Sequence, residues 1–222
     1  MCGRFCCACS KEKIADRLGV DVDPAQYKIT YNAAPAQNLS VVTNKLPTQL
    51  SSFRWGLIPN WTTDKSISAK MINARLETLH EKPSFKEALE RRRCLVPATG
   101  FYEWKKEGTK KKPYYIHLLN SELFCFAGLW DSWKDKESGN TIYSFTIITT
   151  TANSLIALIH DRMPVILPSF HEKGWLNGEL SHKDLIPFPV EQIEMYSVST
   201  SVNSVYNNDP ALIQKKQELS FL

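Results

Sequence analysis

A β-rich α+β fold is what this sequence predicts: a single domain with a mostly antiparallel, barrel-like sheet and flanking short helices. Three observations carry the prediction. Segments rich in aromatic and β-branched residues follow one another in consecutive runs, not in strict alternation with helices, which favours antiparallel pairing. Helical periodicity is confined to a few short stretches. No repeat, low-complexity linker or domain boundary interrupts the 222 residues, a length that can bury a sizeable core without disulfides.

The elements follow in order. Residues 10–20 (SKEKIADRLGV) form a short helix with Ser10 as N-cap, Ile14 and Leu18 on one face and Gly19 at its end. YNAAPAQ (31–37) is a turn-rich loop, because the residue before Pro35 is pushed out of helical space. LSVVT (39–43) and TQLSSFRWGLI (48–58) are strands, NWTTDKSISAK (60–70) is a polar loop, and MINAR follows it. SFKEALERR (84–92) is a helix behind Pro83, with Phe85, Ala88 and Leu89 on one side. CLVPA, GFYEWKK, PYYIHLL, LFCFAGLW and IYSFTIITT, between 94 and 150, are strands, with EGTKKK (107–112) as a hairpin turn. TTANSLIALI (150–159) is expected as a helix packed on them. SFHEKGWLNG (169–178) is a further helix, with Ser169 and Glu172 at capping-box spacing and Gly178 at its end. The polar tail from about 208 to 222 is expected to be loosely held.

Composition narrows the class. With 43 % hydrophobic and 23 % charged residues, the chain has the balance of an ordinary soluble protein. It has no run of about 18 apolar residues, so no membrane span is expected. The N-terminus lacks the apolar core of a signal peptide, which points to the cytoplasm. The six cysteines, Cys2, Cys6, Cys7, Cys9, Cys94 and Cys125, are then expected to stay reduced. A formal net charge of +4 permits a polyanionic partner without requiring one.

Four of the cysteines fall in MCGRFCCAC, at the very start. Inert packing is the ordinary role of a free cysteine. The cluster has no second pair at zinc-site spacing, so no metal is expected. Cys2 differs through its position. A small residue after the initiator methionine permits Met1 to be removed, which would leave an amine and a thiol on one residue. An α-amine has a pKa of about 7.7–8.0 against about 10.4 for lysine, so roughly a tenth of it is neutral near pH 7. Such an amine condenses with an aldehyde to a Schiff base. The thiol can then close on the imine carbon as a five-membered thiazolidine. Two enzyme classes fit this start: amidotransferases whose N-terminal cysteine attacks an amide, and an aldehyde-trapping protein.

Further stretches discriminate. MINARLET carries Asn73 and Arg75, GFYEWKK carries Glu103 and Trp104, and LIHDRMPVIL carries His160 and Arg162. With MCGRF and YNAAP, in this order, they resemble the SRAP family, whose members recognise abasic sites in single-stranded DNA and crosslink to them through the N-terminal cysteine. SVSTSVNSVYNNDPALI (197–213) resembles the family's closing segment, so the resemblance spans nearly the whole chain. The amidotransferase reading is weaker, since Arg4 follows Gly3 where that class has an aliphatic residue, and Asn177-Gly178 fits a helix end.

The resemblance implies roles. The Cys2 amine would attack C1′ of the ring-opened sugar and its thiol would close the ring. Glu103 would shuttle protons, and burial among Phe101, Tyr102 and Trp104 would raise its pKa toward that task. His160 would protonate the sugar oxygen, and the Asn73 amide would orient the terminus or the sugar. Weak β-elimination at the abasic site is an expected side activity. Arg4, Arg75 and Arg162 would contact phosphates. Pro35, Trp61 and Trp104 would stack on bases or wedge at a junction of single and double strand. Each has an ordinary structural alternative: a solvated carboxylate, a structural histidine, a turn cap, core tryptophans. The lysines at 105, 106 and 110–112 read equally as a solvated hairpin or as a patch that steers DNA. Cys6, Cys7 and Cys9 are outside the motif; mixed disulfides with Cys2 on oxidation would silence it. The expected partner is single-stranded DNA with abasic sites, with no cofactor, no metal and no membrane, and a monomeric cytoplasmic protein that joins the nucleoid when bound to DNA. A cysteine peptidase and a passive single-strand binder with a buried Cys2 are the competing readings.

Overall fold

The structure, a computed structural model, describes residues 2–216. The chain runs β1 (Phe5–Cys7), α1 (Lys11–Leu18), β2 (Thr30–Ala33), β3 (Asn38–Thr43), β4 (Leu46–Trp55), β5 (Asn73–Arg75), α2 (Pro83–Arg91), β6 (Arg93–Ala98), β7 (Gly100–Glu107), β8 (Lys110–Leu118), β9 (Phe124–Lys134), β10 (Thr141–Thr151), β11 (Arg162–Pro164), β12 (Ile166–Leu167), α3 (Ser169–Asn177) and β13 (Ile193–Ser197). This is the β-rich α+β fold that the consecutive strand runs predict.

Five strands close on themselves: β10 pairs with β4, β4 with β3, β3 with β6, β6 with β9, and β9 again with β10. The pairings are antiparallel except those of β10 with β4 and β5, which are parallel. Closure and flanking elements bury both faces of the inner strands, which is why β6 and most of β9 read as continuous apolar runs without alternation. A second sheet has the order β13-β8-β7-β1-β2. One of its faces joins the barrel core through edge contacts of Phe5 with Trp55 and Phe126, and of Phe101 with Phe126. The other face packs Cys6, Tyr102 and Tyr115 under Val198, Val202 and Leu212 of the closing segment.

The placement of β1 fixes the start of the chain. It lies between β7 and β2, with Phe5 opposite Phe101 and Cys6 opposite Gly100. Gly100 is required there: a Cβ would lie 2.3 Å from the Tyr115 ring. β1 is thus an inner strand of the sheet, not an edge.

Several local expectations change. Residues 150–159 do not form an α-helix; the β-branched run keeps β10 extended to Thr151, and Asn153 caps one 3-10 turn at Ile156–Leu158. YNAAPAQ starts as strand β2, and its turn is confined to Pro35 and Ala36, whose φ of 71° is left-handed. The polar loop 60–70 contains a 3-10 helix, Lys65–Lys70, capped by Asp64. Ser169 does not cap α3; Glu172 turns inward and takes the Arg17 guanidinium as a fork at 2.8 and 2.9 Å, because a buried carboxylate needs a cation more than a helix end needs a cap. Gly178 ends α3 in the left-handed conformation, as expected. The hairpin turn is Gly108-Thr109 alone, so Lys110 to Lys112 belong to β8. Of the polar tail, residues 208–216 are tied in: the Asn208 side chain accepts from Tyr31 N, Leu212 is buried, and Lys216 N donates to Ser197 O. Residues 217–222 lie outside the described residues. Among the described residues, no helix is long and apolar enough to cross a membrane.

Candidate active site

The β1–β7 pairing brings the start of the chain to Glu103. Tyr102 N donates to Arg4 O at 3.0 Å, and one further step along this antiparallel register sets Glu103 beside Gly3, next to Cys2. From the barrel side, β5 lies parallel to β10, with Asn73 opposite Ile147. Asn73 Nδ2 donates to Cys2 O at 2.8 Å in a buried bond. Asn73 Oδ1 is also buried and, among the described residues, accepts no hydrogen bond. His160 stands between the 3-10 turn and β11, where its Nδ1 accepts the Arg162 N–H at 3.0 Å. That bond places the proton of the neutral ring on Nε2.

The electrostatics link these groups. Cys2 is fully buried; burial, and then the Glu103 carboxylate, push its thiol far up, against the smaller pull of the chain's amino terminus and the Arg4 backbone. The thiol donates to Arg4 O at 3.8 Å. Burial raises the Glu103 carboxyl to about 7, opposed by the positive amino terminus and the Trp104 N–H, with Asp161 adding to the rise. His160 is lowered by burial and by the amino terminus, while Asp161 and the Arg162 N–H pull the other way. Its Nδ1 also lies 3.1 Å from an Asp161 carboxylate oxygen. That contact is an ion pair only for a charged ring, and burial with the positive amino terminus favours the neutral one. Cys2, Glu103 and His160 thus all sense the amino terminus, and Asn73 holds the Cys2 carbonyl. Asp161, which acts on two of them, carried no signal of its own inside HDR.

The six other sequence candidates divide by their bonds. Arg75 is exposed, two residues along β5 from Asn73 and so on the same side of the strand. Trp61 is 56 % exposed in the loop after β4, and Pro35 is half-buried in its turn. Arg4 is bonded within the chain: its Nη1 donates to Asn32 Oδ1 at 2.7 Å and to Val202 O at 2.8 Å, and its Nη2 to Asn203 O at 3.3 Å. Trp104 Nε1 donates to Asn203 Oδ1 at 2.8 Å. Arg162 forks onto Glu77 at 2.7 and 2.9 Å and donates to Thr149 O at 2.6 Å. Asn32, which sequence reasoning passed over inside YNAAP, is the buried hub of the closing segment. Its Nδ2 reaches the carbonyls of Val202, Ser204 and Asn207 at 3.2, 2.9 and 2.9 Å. Its partners are remote in sequence, so nothing local marks it.

The β7–β8 register sets Lys105 opposite Lys112 and Lys106 opposite Lys111. Like charges directly opposite destabilise a hairpin, so fold stability does not account for them. Alternation puts Lys105 and Lys112 on the side of the hairpin that carries Glu103. Among the described residues, no cluster of three or more histidine, cysteine or acidic side chains is placed to hold a metal ion.

Comparison with known proteins places this arrangement. The chain is 45 % identical over 223 residues to the abasic site processing protein YoqW of Bacillus subtilis, covering 96 % of this chain and 99 % of YoqW. It is 34 % identical to the abasic site processing protein HMCES of Xenopus tropicalis, covering 95 % of this chain and 77 % of that protein. A crystal structure of a protein from Bacteroides thetaiotaomicron superposes with a TM-score of 0.90 at 33 % identity, over 97 % of this chain and all of the other. The model of one family matches residues 1–205, and the chain belongs to that family, SOS response associated peptidase (SRAP).

Proposed function

We propose that this protein processes abasic sites in single-stranded DNA by forming a covalent crosslink through Cys2 once Met1 has been removed. The observation that carries the reading is the convergence on the amino terminus of a buried thiol, a carboxyl held at about 7 and a histidine kept neutral. The names of the relatives supply the substrate class.

The steps follow from the groups present. The neutral Cys2 amine adds to C1′ of the ring-opened sugar, and the carbinolamine loses water to give an imine. The Cys2 thiol, kept protonated by its surroundings, gives up its proton as sulfur adds to the imine carbon, and a thiazolidine closes. Overall, aldehyde and aminothiol give thiazolidine and one water. A carboxyl at about 7 suits Glu103 to accept and return these protons near neutral pH. The Nε2–H of His160 is the donor for the sugar oxygen during ring opening. The unfilled Asn73 Oδ1 is an acceptor for the freed α-amine or a sugar hydroxyl. Slow β-elimination from the imine is the side reaction that ring closure suppresses.

Exposed Arg75 and the lysine pairs supply phosphate contacts, while Arg4 and Arg162 contribute charge from fixed positions. Exposed Trp61, with Pro35 and Trp104, is the candidate platform for bases or a junction end. We place the protein in the cytoplasm, on the nucleoid when bound to DNA, and as a monomer.

The test is a denaturing gel of the purified protein with a single-stranded oligonucleotide carrying one abasic site. A shifted band is expected, absent for undamaged DNA and for Cys2→Ala. A Cys2→Ser variant should be retained only after borohydride reduction, since it forms the imine without the stable ring. No shifted band from wild-type protein whose Met1 is gone overturns the reading.

A further inference from the structure

Three of the four N-terminal cysteines are not used by the chemistry above, and the structure separates them. Cys6 points to the closing-segment side of the sheet, where Thr99 Oγ1 donates to its sulfur at 3.3 Å. Cys7 and Cys9 sit on the core side and converge on one phenol: their sulfurs lie 3.9 and 4.0 Å from Tyr27 Oη. The same hydroxyl donates to Cys9 O at 2.6 Å. Cys2 lies in the barrel core cluster and Cys6 in the outer one, so these two face opposite sides of the sheet.

Cys9 is buried, 7 % exposed, but borders a cleft. It lines this cleft, of about 840 Å³, together with Ser10, Lys13, Tyr115, His117 and Tyr196. Cys7 lies behind it, 3 % exposed. The two thiols differ in the sense a reaction would need. Cys9 is drawn down to about 7, first by the hydrogen bond from the Cys7 thiol, against burial, then by Tyr27 and by the Lys13 charge. Cys7 is pushed well up by the same bond and by burial. A low-lying thiolate beside a cleft, with a second thiol on the same phenol, is the arrangement of a peroxide-reactive pair.

We propose that Cys7 and Cys9 form a redox modification site, distinct from Cys2, that reacts with small hydroperoxides entering the cleft, Cys9 attacking and Cys7 resolving. The Cys9 thiolate attacks the terminal peroxide oxygen and the O–O bond breaks. The alkoxide leaves with a proton as the alcohol, and Cys9 becomes a sulfenic acid. The Cys7 sulfur then attacks Cys9 Sγ, the S–O bond breaks, and the oxygen leaves as water. Two thiols lose two electrons and two protons; the peroxide takes them and gives alcohol and water. The Cys2 thiol, buried and held far up, is spared.

The test treats full-length protein with stoichiometric hydrogen peroxide and maps the tryptic peptide Phe5–Lys11. Wild type is expected to lose two hydrogens in this peptide, reversibly with dithiothreitol, while the Cys2 peptide keeps a free thiol. Cys6→Ala should behave as wild type. Cys7→Ser should stall at a sulfenic acid on Cys9 that dimedone traps, and Cys9→Ser should lose both products. A wild-type measurement guards against misfolded variants: iodoacetamide labelling of Cys9 should rise with pH through about 7, and that of Cys6 only toward about 11. Oxidation of Cys2 as fast as Cys9, a bridge that persists in Cys9→Ser, or labelling of Cys9 no faster than Cys6 at pH 7 each overturns the proposal.

Discussion

Glu103 is 3 % exposed, and its carboxyl is raised from 4.5 to about 7 chiefly by burial. Between these two values the folded protein keeps a proton that the unfolded chain has lost, so this residue makes stability fall as pH rises from about 4.5 to about 7. Glu103→Gln is therefore expected to raise the melting temperature at pH 8 and to do so much less at pH 4.5. The same variant should slow crosslinking by about 10²-fold and remove the acid limb near pH 7 from the single-turnover pH–rate profile. The same change in melting temperature at pH 8 and pH 4.5, or a loss confined to pH 8, would contradict the effect of burial on this carboxyl. For Asn73→Ala, which strands a buried Cys2 carbonyl, a loss of about 1–3 kcal/mol is expected in urea unfolding, with slower crosslinking. The side chains of this candidate site are singled out through the resemblance of short motifs to the SRAP family, not through local chemistry alone. The bonds made by Arg4 were not legible in the sequence, since Asn32 and the carbonyls of Val202 and Asn203 reach it only through the tertiary fold.

The β7–β8 hairpin extends from Glu103 to a tip of facing lysines. If two of these, Lys105 and Lys112, each neutralise one phosphate of a single strand, the double Gln variant should flatten the slope of log affinity against log salt by about 1.4. Fluorescence anisotropy with a non-reactive abasic analogue measures it, and an unchanged slope would assign the lysines to solvent. Strands were legible here from aromatic and β-branched content, yet the lysines read as turn because charge and Gly108 mark turns more strongly than they mark strands. The opposite holds at 150–159. Apolar spacing suggested a helix there, while the preceding β-branched residues and their pairing with β11 held the chain extended as far as Thr151.

Segments near both ends of the described residues are built into one sheet: β1 is inserted between β7 and β2, and the segment from 197 to 213 covers its outer face. Antiparallel order was legible from consecutive strands, but the closure of β9 onto β10 and the parallel contacts of β10 depend on register and long-range pairing that no local pattern encodes. Asn32→Ala should destabilise the fold by about 2–3 kcal/mol by leaving several buried groups unpaired, and hydrogen exchange should rise in 197–213 while β9 stays protected. This frame holds Cys2 on Asn73, with Glu103 and His160 within electrostatic reach of the amino terminus. Intact mass spectrometry of the protein after incubation with an abasic single strand, without reductant, is the most direct measurement. The account predicts one adduct equal to the chain lacking Met1 plus the oligonucleotide minus one water, localised to Cys2. An unmodified protein lacking Met1, an adduct on a chain that retains Met1, or an adduct on a lysine would contradict it.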